Sequence, residues 1–71
     1  MREPNRLCNF YGELQKIHIT FFPDWRFGQL MLNFFHWLTN EKGIDVFFPE
    51  EDMMIEYLRE YTDSLGNEVI N

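Results

Sequence analysis

The chain has 71 residues with a net charge of −6, 45% hydrophobic and 18% aromatic content. That length admits one small domain, 1–71, and leaves no material for a second core. The single cysteine, Cys8, excludes an intrachain disulfide and points to a reducing compartment. No apolar run is long enough for a membrane span, and the start Met1–Arg6 lacks the hydrophobic stretch of a signal peptide. The expectation is a soluble, cytoplasmic protein without membrane contact.

The first predicted helix covers Asn5 to Phe22. Leu7, Phe10, Tyr11, Leu14, Ile17, His18 and Phe21 recur at helical spacing and make one apolar stripe, with Asn5 as the expected N-cap. Pro23 ends it, because proline disfavours the α region in the residue before it. Asp24 is then the expected cap of a second helix, Trp25 to about Lys42. Phe27, Leu30, Met31, Phe34, Trp37 and Leu38 form its core face, and Gly43 is its stop.

The segment Ile44–Phe48 reads as a short extended connector, with β pairing to Ile19–Phe22 as the structural alternative. Pro49, followed by Glu50, Glu51 and Asp52, is a helix-start signal, since proline suits the first turn and acids suit the positive end of the helix dipole. The third helix should run from Pro49 to about Leu65 on a stripe of Met54, Ile55, Leu58, Tyr61 and Leu65. Gly66 is its expected stop, and 67–71 is expected to be a frayed tail. The fold class is therefore all-α: a small three-helix domain, a helix hairpin plus a third, acidic helix.

Charge is unevenly spread. Residues 1–40 carry three acids and four bases, whereas residues 41–71 carry nine acids and two bases, a net of −7. The plain account is a solvated helix face that keeps an aromatic-rich chain in solution. The sharper one is an acidic surface of Glu50, Glu51, Asp52, Glu56, Glu60 and Asp63 that docks a basic partner or imitates nucleic-acid phosphates. Direct nucleic-acid binding is disfavoured, because it draws on clustered Lys and Arg.

Arg26, Gln29, Asn33 and His36 lie at i, i+3, i+7 and i+10 on the second helix, a polar stripe whose side chains can read base edges, tie a loop to the helix or face a protein partner. Arg26 is expected to pair with Asp45 or with a carboxylate of the third helix. Thirteen aromatic residues exceed what a three-helix core takes in. Phe35, Trp25 and one of Phe47 or Phe48 are the candidate exposed anchors. With the stripe, these give a predicted partner site of Trp25, Arg26, Gln29, Asn33, Phe35 and His36.

Catalytic signals are weak. His18 and His36 have no acid at helical spacing to fix a tautomer, Cys8 reads as a small buried hydrophobe, and one cysteine with two distant histidines does not make a zinc pattern. No glycine-rich phosphate loop is present in the sequence. The expectation is a protein that is not an enzyme and takes no cofactor or metal.

The stretch Pro23-Asp24-Trp25-Arg26-Phe27-Gly28-Gln29-Leu30-Met31-Leu32-Asn33 resembles the Pro-Asp-x-Arg-Phe/Leu-Gly-Gln-Leu-x-x-Asn core of a group of short uncharacterised bacterial and phage-borne proteins. Arg2, Pro4 and Arg6 before it, and Asp45, Phe47, Glu51 and Asp52 after it, match the flanking pattern of that group. The resemblance runs from Arg2 to about Leu58 and departs at Glu3 and in the aromatic load of Phe34-Phe35-His36-Trp37. It implies a bacterial or phage genome and brings no established activity. The functional expectation is an acidic protein–protein interaction module, with a homodimer as one arrangement. The alternative is a phage or mobile-element inhibitor that blocks a host nucleic-acid-binding or defence protein with its acidic end.

Overall fold

The structure is a computed structural model that describes residues 3–70, with side chains through Leu65. The described residues form three helices, α1 (Asn5–Phe21), α2 (Phe27–Lys42) and α3 (Glu51–Ile70). The all-α, three-helix class follows from the apolar spacing, and no strand occurs among the described residues.

Local chemistry sets each boundary. At the start of α1 the cap position belongs to Pro4 rather than Asn5, and the Glu3 carboxylate accepts the Asn5 N–H at 3.4 Å. At its end Pro23 forces Phe22 out of the helix, to φ −135° and ψ 49°. A turn follows in which the Trp25 N–H donates to the Phe22 carbonyl at 3.1 Å. His18 Nε2 donates to the Trp25 carbonyl at 2.8 Å. A carbonyl oxygen can only accept, so this bond fixes the proton on Nε2 and fastens the turn to α1.

Helix α2 begins two residues later than the sequence suggests, and Asp24 is not its cap. The extended residue Arg26 takes that place, and the Gln29 side-chain oxygen reaches back to its N–H at 2.8 Å. A guanidinium has no acceptor to return the bond, so the cap is one-sided. Gly43 ends α2 as expected, in the left-handed region at φ 67°, where a side chain would be strained. That twist lets the Ile44 N–H reach the Leu38 carbonyl at 3.2 Å.

The connector is a turn rather than an extended segment. Asp45 organises it, accepting the Phe47 N–H on its side chain at 3.0 Å and the Phe48 N–H on its carbonyl at 3.3 Å. Helix α3 starts at Glu51, two residues after Pro49, and continues through Gly66 instead of stopping there. The frayed tail expected over 67–71 falls where side chains, and Asn71 altogether, lie outside the described residues.

Leu14, Ile17, Phe22, Leu30, Phe34, Leu38, Leu58 and Tyr61 form one buried cluster. Its junction is Tyr61 on α3, whose ring centroid lies 5.9 Å from Phe22, 5.7 Å from Phe34 and 5.4 Å from Trp37. The closest helix pairing is α1 on α3, with α2 also resting on α3. Ion pairs reinforce both contacts: Arg6–Glu51 at 2.9 Å and Arg59–Glu13 at 3.0 Å join α1 to α3, and Lys42–Glu60 at 2.7 Å joins α2 to α3.

Three stripe residues expected inside face outward: Tyr11 is 60% exposed, Phe21 58% and Phe27 62%. Tyr11 lies at the edge of its stripe, whereas Phe21 and Phe27 are the last residue of α1 and the first of α2, past the end of the covered stretch. Replacing Phe34, 1% exposed at the centre of the aromatic cluster, with Ala should cost about 3–5 kcal/mol. A domain of this size has a margin of about the same order. Thermal denaturation of Phe34→Ala should therefore show a largely unfolded chain at room temperature. A cooperative transition close to that of wild type would contradict this packing.

Candidate partner-binding groove

Because α1 and α2 both rest on α3, a groove stays open between them. Its floor is core, made of Leu14, Phe34 and Leu58, and its walls are the half-buried Phe10, Met31, Phe35 and Met54. Tyr11, Phe27 and Phe47 stand on the rim, with Phe47 83% exposed. The cavity is about 320 Å³, at the small end for ligand clefts and ample for a few apolar side chains. Phe48, 72% exposed, packs edge-on against Phe47 at 5.2 Å and extends the apolar surface past the rim.

The predicted partner site divides. At 100° per residue, Arg26, Gln29, Asn33 and His36 share one flank of α2, while Phe27, Met31 and Phe35 share the other, facing the groove. All four stripe residues are exposed. Gln29 is committed to the cap, the loop-to-helix tie that its position suggests. Arg26, expected to pair with Asp45 or a carboxylate of α3, makes no ion pair among the described residues; its position at the helix cap leaves its side chain in solvent. Trp25 is not an outward anchor: it is half-buried, 4.7 Å from the Phe22 ring. Phe35 is half-buried too, 5.7 Å from Phe34, and lines the groove.

Both Phe47 and Phe48 are exposed where one was expected, because the Asp45 turn points the pair away from the bundle. Tyr11 and Phe27 are the groove residues that the sequence reading assigned to the core. Their available signal was position, at the edge of the stripe in Tyr11 and in the first turn of α2 in Phe27.

A second depression, about 530 Å³, runs between α1 and α3 and is lined by Glu13, Glu50, Glu51, Asp52 and Glu56 with Arg6, Arg59 and the apolar Phe10 and Ile55. Within the predicted acidic surface, Glu51 pairs with Arg6, Glu60 with Lys42, and Glu56 with Arg59 at 3.3 Å. Asp52 accepts the Met53 N–H at 2.8 Å, and Asp63 is exposed. Glu60 holds the Lys42 ammonium above its ordinary pKa, first by its hydrogen bond and then by its charge. The stabilisation from this pair is thus complete below the ordinary lysine range and is lost as pH rises through the raised value.

Cys8 is exposed rather than buried, since its position on α1 falls off the apolar stripe. Among the described residues no three His, Cys, Asp or Glu side chains come together as metal ligands would, and no helix is long and apolar enough to cross a membrane.

The division between groove and stripe is testable through stability. Gln29→Ala removes the partner of the Arg26 N–H and should cost about 0.5–2 kcal/mol in urea denaturation. Phe27→Ser and Phe47→Ser, on the exposed rim, should each cost no more than about 1 kcal/mol. A loss of several kcal/mol at Phe27 would place it in the core and remove it from the rim.

In comparison with known proteins, no family model matches the chain, and no curated protein or solved structure does so either.

Proposed function

We propose that this chain is a non-enzymatic, cytoplasmic protein-interaction module whose binding face is the groove between α1 and α2. The observation that carries the reading is the trio Tyr11, Phe27 and Phe47, each at least 60% exposed, around a floor of core side chains. Scattered exposed apolar residues need no explanation, but aromatic side chains gathered around one concave apolar floor are how interfaces present their anchor pockets. The polar stripe on the opposite flank of α2 is then ordinary solvated surface plus a helix cap.

The inhibitor reading, in which the acidic C-terminal end imitates nucleic-acid phosphates, has less support. Glu51, Glu56 and Glu60 are neutralised in part by Arg6, Arg59 and Lys42 of the same chain. A phosphate mimic works by presenting negative charge to its target.

The test is affinity capture from a bacterial lysate with three tagged proteins: wild type, Phe27→Ser/Phe47→Ser and Arg26→Ala/Asn33→Ala, each verified as folded by circular dichroism. The stripe variant should retain the partner that wild type retains, and the rim variant should lose it. Retention by the rim variant with loss by the stripe variant would move the binding face to the other side of α2.

A further inference from the structure

We propose that the groove between α1 and α2 takes a cationic amphipathic helix of a partner protein, an inference that rests on the groove being the binding face. A groove bounded by two helices over a third is the shape into which an amphipathic helix lays its apolar side, with anchors at i, i+3 or i+4, and i+7. No strand edge is available among the described residues for an extended peptide to pair with.

The sign of the partner's charge follows from what adjoins the groove. Phe10 and Glu51 line both depressions, so the apolar groove borders the acidic one. Among the described residues that line it, that neighbour carries five carboxylates against the guanidinium groups of Arg6 and Arg59, so it stays acidic even though Glu51 pairs with Arg6 and Glu13 and Glu56 pair with Arg59. No lysine or arginine lines the apolar groove among the described residues. A helix seated there places its polar face beside this surface, within the roughly 10 Å over which charges act at ordinary salt. Lysine and arginine on that face gain attraction, and acids are repelled. A second copy of the chain is the poorer occupant, because it carries the same net −6 and the two copies repel overall.

The experiment uses two fluorescein-labelled synthetic helices of about 18 residues, five turns, with the same Leu and Phe face and with either Lys or Glu at every other position. Fluorescence anisotropy against the full chain should show the Lys helix binding and the Glu helix at least about ten-fold weaker. Phe27→Ser/Phe47→Ser should weaken the Lys helix by about ten-fold or more, the loss typical of removing interface anchors. Glu50→Gln/Asp52→Asn should weaken it by a smaller factor and flatten its salt dependence.

Four results would overturn the proposal in distinguishable ways. Lys-helix binding that ignores the rim variant would reveal unspecific charge attraction. Equal binding of both helices, lost in the rim variant, would remove the cationic requirement and leave the groove intact as the binding face. If neither helix binds while lysate capture still depends on the rim, the occupant is not a cationic helix. If neither binds and wild type sediments as a dimer that the rim variant reduces to a monomer, the groove belongs to a second copy.

Discussion

Tyr61 on α3 is the point through which the three helices are joined. Its ring meets Phe22 from the end of α1 and Phe34 and Trp37 from α2. Aromatic contacts of this kind add to the area that their burial removes from water, and here they stand in for the larger core that a longer chain would have. The geometry has a consequence. With both α1 and α2 held against α3, neither closes on the other, and the apolar groove between them is what remains.

Electrostatics follow the same layout. The cross-helix ion pairs run from α3 to its two neighbours, through Arg6, Glu13 and Lys42. Exposed pairs contribute little individually. Their larger effect here is on distribution, since they use three of the chain's six bases to hold helices together and leave the α1–α3 face acidic beside an apolar opening. The acidic half read from the sequence is therefore part counter-charge to the chain's own bases and part surface.

Much of the fold was legible from residue spacing. Apolar residues at helical intervals located all three helices, Pro23 and Gly43 marked real ends, and the first-turn acids marked the start of α3. Boundaries set by side-chain choices were harder. Asp24 was the expected cap, but the chain uses Gln29, because the turn held by Phe22, Trp25 and His18 precedes the helix and leaves Arg26 at the cap position. Gly66 looked like a stop, yet glycine inside a helix costs only about 1 kcal/mol against alanine and does not forbid continuation.

The site was less legible, for a geometric reason. A stripe of six or seven apolar residues shows which side of a helix is turned inward, but it does not show how wide a band the neighbouring helices cover. Tyr11 lies at the edge of that band and Phe27 at the very start of α2, and both end outside it, while Trp25 and Phe35 are drawn partly in by contacts with Phe22 and Phe34. The helical period did reveal the polar stripe, and only the packing shows that it faces away from the groove.

The most direct test of the groove as the binding face is backbone amide shift mapping by NMR during titration with the Lys-bearing helix. The account predicts that the largest shifts fall on Tyr11, Phe27, Met31, Phe35 and Phe47, with Arg26, Asn33 and His36 little changed. Shifts centred on the polar stripe, or spread along α3 without involving the aromatic rim, would contradict it.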